Sequence, residues 1–103
     1  MRYRGEEALG LVETVGLVPA LKACDEMLKA ANVELISYEN IGSTLVTIMI
    51  KGDVAACKTA VETGIAAVEE MGAEVYSSVV IPSPHIDLGK IIDRYSLEQL
   101  LPA

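Results

Sequence analysis

Reactive side chains are few in this chain of 103 residues, and they are scattered. His85 is the only histidine. It stands between Pro84 and Ile86 in a segment that reads as a loop, with no partner at a spacing that would make it a general base. Ser43 offers a hydroxyl on a turn, but no G-x-S-x-G elbow surrounds it and no base can be assigned to it. The adjacent acids Glu6-Glu7 and Glu69-Glu70 look like solvated faces rather than paired catalytic carboxylates. Cys24 and Cys57 each lie on the apolar side of a helical pattern, and neither belongs to a C-x-x-C or metal-ligand spacing, so two buried thiols are expected. Gly42-Ser43 is too short for a phosphate loop of the Walker type. On residues alone, enzymatic activity is the weaker reading.

The elements that position these groups are read from hydrophobic periodicity and turn residues. The chain is organised around Glu39-Asn40-Ile41-Gly42-Ser43-Thr44 and the run Leu45-Val46-Thr47-Ile48-Met49-Ile50. This is a polar hairpin tip feeding a strand that is apolar on both faces. Gly42 admits backbone angles closed to other residues and Ser43 can bond nearby backbone, so a turn is predicted. A strand apolar on both faces belongs in the middle of a sheet covered on both sides. Only two long amphipathic helices are predicted, enough for one side, so another copy of the chain is expected to cover the rest.

Ahead of the hairpin, residues 8–14 read as a strand and 17–31 as a helix, with Pro19 in its first turn and Asn32 closing it in the left-handed conformation. The core stripe of this helix is predicted as Leu17, Leu21, Cys24, Leu28 and Ala31, with Asp25 and Lys29 as an exposed i,i+4 pair. A second strand over 33–39 places Glu34, Ile36 and Tyr38 on one face and Val33, Leu35 and Ser37 on the other. Asp53 is placed to cap a second helix that runs to about Met71 and stops at Gly72. Its stripe is Val54, Cys57, Val61, Ile65 and Val68, and Gly64 allows close packing. A fourth strand over 74–81 ends at Pro82-Ser83-Pro84. A short helical turn is predicted over 87–92, and Ser96 can cap a last turn over 97–100. The element order predicts an α+β protein of ferredoxin-like βαββαβ topology, a four-stranded antiparallel sheet with two helices on one face plus a short C-terminal helix.

One domain is expected over 1–103, because a chain this short buries only about 60–65% of its extended surface. The sequence is 51% hydrophobic and 22% charged, with Tyr as its only aromatic type. The core must therefore be built from Val, Ile, Leu, Met and many alanines. Alanines admit close helix–sheet approach but each buries little, which again favours oligomerisation. A formal charge of -7 with only eight Lys plus Arg argues against a nucleic-acid partner, whose backbone needs a basic surface. With no signal peptide and no apolar run of membrane length, a cytoplasmic protein without membrane contact is expected. Two functional classes fit: a small-molecule-binding regulatory or sensor domain that dimerises through its sheet, or a structural subunit of a closed ring whose hairpin tips meet around an axis.

Several segments, in order, decide between them: Glu7-Ala8-Leu9-Gly10-Leu11-Val12-Glu13-Thr14, Gly16-Leu17-Val18-Pro19-Ala20, Met27-Leu28-Lys29-Ala30-Ala31-Asn32-Val33, Ile41-Gly42-Ser43, Leu45-Val46-Thr47, Gly52-Asp53-Val54, and Val80-Ile81-Pro82 with Pro84-His85. Over about residues 7–92 the chain resembles the bacterial microcompartment shell proteins of the single-domain, hexamer-forming type, found in carboxysomes and in propanediol- or ethanolamine-type organelles. Residues 93–103 form a tail outside that core. The resemblance implies a homohexameric tile that meets other tiles and other shell proteins edge to edge, within a microcompartment shell in the cytoplasm. It implies no catalysis and no metal or organic cofactor. It further implies that Gly42, Ser43 and Thr44, with Asn40 beside them, line a central pore for small polar metabolites. Lys29 is then a tile-edge residue, with Asn32, Ser83 and His85 near that edge, and targeting helices of enclosed enzymes are possible partners.

Three departures from the family pattern stand out. A basic residue common beside the pore is Asn40 here, the last glycine of the common Gly-Ser-Gly loop is Thr44, and the edge arginine is Ser83. Serine lacks the rigid donor fork of arginine, so tile-to-tile contacts are expected to be weaker or built differently. At the tip, the Ser43 hydroxyl and backbone N–H groups are expected to favour polar or anionic metabolites. In the tail, Leu97, Leu100 and Leu101 are expected to pack on their own subunit.

Overall fold

The computed structural model describes residues 7–41 and 44–92; Gly42, Ser43 and the turn expected over 97–100 lie outside the described residues, as do the side chains of Asn40 and Ile41. Two strands rich in apolar residues make the middle of the sheet: β1 (Ala8–Val15) and β3 (Leu45–Gly52). They pair antiparallel from Ala8 opposite Gly52 to Val15 opposite Leu45. β2 (Glu34–Ile41) adds to the outer side of β3 and β4 (Val75–Ile81) to the outer side of β1, both antiparallel, giving the order β2-β3-β1-β4. The crossovers are α1 (Leu17–Ala30) and α2 (Val54–Glu70), and a short α3 (Leu88–Ile92) closes the described chain. The predicted α+β, ferredoxin-like topology is the one observed.

On the helix side, Val12, Val46, Ile48 and Ile50 pack with Ala20, Ala23 and Met27 of α1 and with Cys57, Ala60, Val61 and Val68 of α2. The predicted stripe of α2 is correct: Cys57, Val61 and Val68 are buried, and Val54 and Ile65 pack against them. Its ends also match expectation. Asp53 accepts a 2.8 Å hydrogen bond from the Ala56 amide, and Gly72 follows the helix with φ 76°, a conformation that suits glycine.

The predicted stripe of α1 requires correction. Pro19, Ala20, Ala23 and Met27 face inward, with Cys24 and Ala31 partly buried. Leu17, Leu21 and Leu28 are exposed instead. The helix carries apolar residues on two faces, and the sheet takes the face with the smaller ones because α1 must also lie flush against α2. A Cβ on Gly64 of α2 would stand 2.8 Å from Met27 Cγ and Sδ, so a side chain there would have to displace Met27. The helix end differs as well. Ala31 closes α1 with an extended backbone, φ -151°, rather than a left-handed Asn32 doing so.

A second correction concerns β2. Its register against β3 shifts between Leu35 and Ser37, and this bulge resets the alternation. Leu35 and Tyr38 therefore join the helix-side core, while Ile36 turns to the opposite face, away from Tyr38. The opposite face, which another copy was expected to cover, is covered at one end by the chain itself. Ile92 and Leu88 of α3 close one end of it over Leu9, Ile36, Leu11, Met49 and Ile81. At the rim of this small second core, the buried Lys51 holds Glu7 at 2.8 Å and Glu34 at 3.5 Å. An ammonium in that position needs both carboxylates to offset its lost hydration.

Two measurements test this packing. A Cβ on Gly10 of β1 would stand 2.7 Å from Ile50 Cδ1 and 2.9 Å from Val61 Cγ2, both on stiff β-branched side chains. Gly10→Ala should therefore cost about 1–3 kcal/mol of stability. Gly64→Ala should cost less, because the flexible Met27 yields and alanine gains about 1 kcal/mol of helix propensity. Urea midpoints of the two variants rank them, and a larger loss at Gly64 would contradict this account.

The thiols give a pH signature. Burial first and the Asp53 charge second raise the Cys57 thiol above its ordinary 9.0; burial and then Asp25 do the same at Cys24. The folded state thus keeps these protons to higher pH than the unfolded chain. Their contribution to stability is complete below about pH 9 and is lost as pH rises through the folded values. Across that alkaline range, stability should fall less steeply in a Cys24→Ala, Cys57→Ala double variant than in the parent protein. Parallel curves would exclude the thiols as the cause.

Candidate functional site

Strand register sorts the predicted site residues into two groups at opposite ends of the sheet. Asn40 pairs with Val46 and Ile41 with Leu45, so β2 gives way to β3 at the end of the sheet where β3 begins. Thr44 is exposed, and its carbonyl accepts a 2.8 Å hydrogen bond from the Gly16 amide. Gly16 itself has φ 101° and is held from below by the buried Thr14, whose Oγ1 donates to the Gly16 carbonyl at 2.9 Å. The base of the tip is therefore tied to the β1–α1 turn. Val15 adds a third link, donating to Glu74 ahead of β4 at 3.3 Å.

The second group lies at the other end. Lys29 is exposed in the last turn of α1, and its Nζ sits 2.8 Å from Asp25 Oδ2, the expected i,i+4 pair. The hydrogen bond to Asp25, then the charge of Asp25, raises the Lys29 pKa. Asn32 is exposed just before β2, and its carbonyl lies close to Gly52. Ser83 and His85 are exposed just after β4. β2 and β4 are the two edges of the sheet, three strand spacings or roughly 14 Å apart, so the four residues share an end without forming one cluster. An eight-residue strand separates this end from the tip by roughly 25 Å.

Sequence reasoning missed a polar row on the open face near the tip. Glu13 of β1 lies opposite Thr47 of β3 on one side and Ser77 of β4 on the other. Thr47 Oγ1 donates to Glu13 Oε2 at 2.7 Å, and Ser77 Oγ donates to Glu13 Oε1 at 3.0 Å. Glu39 of β2 lies across from Thr47 and extends the row. The signal was cross-strand register, which no single stretch of sequence displays.

Nothing described here converges on a reaction centre. His85 Nδ1 accepts from the Asp87 amide at 3.1 Å, and the ring is largely exposed with no nucleophile beside it. Among the described residues, no three His, Cys, Asp or Glu side chains could share a metal ion. The groove between α1 and α2 is lined by Lys22, Glu26, Thr63, Ala66, Glu70 and Met71 among others, and Lys22 and Glu26 pair with each other at 3.2 Å. No described helix is long and apolar enough to cross a membrane. Large apolar side chains do lie open on the outer side of α1 (Leu17, Val18, Leu21 and Leu28) and on the edge strand β4 (Tyr76 and Val79).

Comparison with known proteins converges on one family. A family model described as the BMC domain matches residues 8–84. The chain is 52% identical over 89 residues to bacterial microcompartment shell protein PduA of Citrobacter freundii, covering 86% of this chain and 95% of the relative. It is 51% identical to shell protein EutM of Escherichia coli K12, covering 82% of this chain and 87% of that protein. Carboxysome shell protein CsoS1A of Hydrogenovibrio crunogenus is 40% identical over 82% of this chain and 88% of its own length. Among solved structures, a microcompartment protein from Desulfitobacterium hafniense superposes with a TM-score of 0.77 at 30% identity, over 87% of this chain and 51% of that one.

Proposed function

From the premise that this chain belongs to the BMC domain family of microcompartment shell proteins, we propose that it forms a cyclic homohexamer serving as one tile of a shell facet. The observation that carries this reading is 52% identity running through 95% of the length of a shell-protein relative, with no room for a separate activity domain in the matched region. The family is structural rather than enzymatic, and the scattered reactive groups of this chain agree with that. A single copy leaves Leu17, Val18, Leu21, Leu28, Tyr76 and Val79 open. Contacts between neighbouring copies in a ring would give these side chains cover.

In this tile, Gly42, Ser43 and Thr44 line a pore on the sixfold axis with Asn40 at its mouth, and small polar metabolites pass through it. Lys29, Asn32, Ser83 and His85 belong to the rim, where other tiles and other shell proteins meet it. Targeting helices of enclosed enzymes are further partners, and the site of action is the shell of a microcompartment. Placing the tip end and the Lys29 end roughly 25 Å apart on the sheet supports assigning them to different parts of the tile.

Native mass spectrometry tests the assembly: six chains are expected, and a stable monomer or dimer would remove the tile reading and revive a sensor-type domain. Electron microscopy tests the rim. Lys29→Ala should leave hexamers intact while reducing extended sheets, whereas dissociation into monomers would place Lys29 inside the ring. Ser83→Arg, which restores a bidentate donor fork, should promote sheets at lower protein concentration than the parent chain requires.

A further inference from the structure

The small second core leaves one apolar row of the sheet partly uncovered. On the face away from α1 and α2, successive rows across the sheet follow from the register. Leu9 lies opposite Ile81 and Lys51, Leu11 opposite Val79 and Met49, and Glu13 opposite Ser77 and Thr47. α3 sets Leu88 and Ile92 on the first of these rows, and Ile92 is 6% exposed there. In the middle row, Leu11 and Met49 are partly buried and Val79 is 47% exposed. The third row is polar and hydrogen-bonded within itself, so an apolar cover has to stop short of it. The open strip is therefore Met49, Leu11 and Val79, one row deep and two strand spacings, or roughly 10 Å, wide.

The chain that follows Ile92 has the composition and the reach to fill that strip. It continues Asp93-Arg94-Tyr95-Ser96-Leu97-Glu98-Gln99-Leu100-Leu101. Ser96 with Gln99 three residues later is a capping-box pattern, and Tyr95 with Leu100 stands at the staple positions, so a new helical turn is predicted to start at Ser96. In such a turn Leu97, Leu100 and Leu101 share one side, and Glu98 and Gln99 take the other. A new start also re-aims the leucines. Were α3 to run on unbroken, Leu97 would come about two and a half turns after Leu88 and point away from the sheet. The five residues from Ile92 to Leu97 span up to roughly 17 Å, against roughly 7 Å between adjacent rows of one face. Because Ile92 is already seated on the face, the leucines are held at high local concentration beside it. We propose that residues 96–101 dock on Met49, Leu11 and Val79 of their own subunit, as a strap that closes the apolar part of the open face. A turn of this length, roughly 8–9 Å, matches the width of the strip. Val79 is then covered by its own chain rather than by a neighbouring copy, which leaves the α1 leucines and Tyr76 for contacts between copies. While the strap is seated, an apolar segment of any other protein has to displace it to reach this row.

Cysteine pairs test the docking in the full chain, on a Cys24→Ala, Cys57→Ala background. Under mild oxidation, Val79→Cys combined with Leu100→Cys should close a disulfide within one chain, read by denaturing mass spectrometry as a single-chain mass that resists thiol labelling. Leu21, exposed on the outer side of α1, provides the control: Leu21→Cys should join Leu100→Cys at least about ten-fold more slowly. Equal rates at the two positions would mean a tail without a seat, and would overturn the proposal. Disulfides found only between chains would give the row to the tail of a second copy, which contradicts it equally. No disulfide at Val79 would leave the row to some other occupant and sink the strap. Should the cysteine variants fail to fold, the parent chain is compared with the triple variant Leu97→Ser, Leu100→Ser, Leu101→Ser. Unseating the strap uncovers the row, so fluorescence of bound anilinonaphthalenesulfonate should rise about two-fold or more, and an unchanged signal would refute the docking.

Discussion

At Gly10 and Gly64 the helix layer makes its tightest approaches: a Cβ on Gly10 of the sheet would stand 2.9 Å from Val61 of α2, and one on Gly64 of α2 would stand 2.8 Å from Met27 of α1. Contact that close demands small residues over the whole shared surface, and Ala20, Ala23, Ala60 and Ala67 supply them. The chain has no Trp or Phe to give bulk, so its core gains from closeness of packing rather than from large side chains. The same constraint decides what faces outward. A helix that turns its alanines and Met27 inward presents Leu17, Leu21 and Leu28 on its other side. The open apolar surface is thus a consequence of how the core is built, and it is the physical basis for expecting assembly in a chain of this size.

The far face of the sheet is divided along its length. At one end α3 closes an apolar cluster around Leu9 and Ile36, with the Glu7–Lys51–Glu34 ion pairs at its rim. At the other end stands the row of Ser77, Glu13, Thr47 and Glu39. Hydrogen bonds within the row satisfy its hydroxyls, so it does not require a partner to be stable. An apolar partner seated there would instead have to desolvate Glu13, which is unfavourable. The open face therefore admits apolar cover at the α3 end and favours water at the other end.

Much of this was legible in the sequence, and the failures have physical causes. The hairpin, the strand order, the Asp53 cap, the Gly72 stop and the stripe of α2 could be read because one local signal dominated each. On α1 two apolar faces competed, and hydrophobicity alone favoured the leucines; what decided was the space beside Gly64, a property of another helix. The bulge at Ile36 hid behind a pattern that looked like imperfect alternation. α3 was expected as a helical turn, yet its role as a lid on Leu9 depended on a contact between distant residues. Glu13 sat inside a segment already recognised as family-like, but its clamp consists of Thr47 and Ser77, which are 34 and 64 residues away. Of the residues expected at a pore, the described structure shows how Thr44 is anchored and how Asn40 is paired.

On the tile reading, the distance between the two ends of the sheet has a further meaning. Roughly 25 Å separates the hairpin end from the Lys29 end, more than two Debye lengths at ordinary salt. A charge altered at one end is therefore nearly invisible at the other. On that reading, a change at Asn40 or Thr44 would act on passage through the ring and leave the rim undisturbed. A change at Ser83 would, on the same reading, act on contact between tiles and leave the pore untouched. The two kinds of change also differ in how they multiply. A residue at the axis acts with its five copies on one small opening, so one substitution alters a single barrier six times over. A residue at the rim acts once for each neighbour, and its effects accumulate over a facet rather than at a point. The sheet, stiffened by close packing at Gly10, keeps its two ends at a fixed distance.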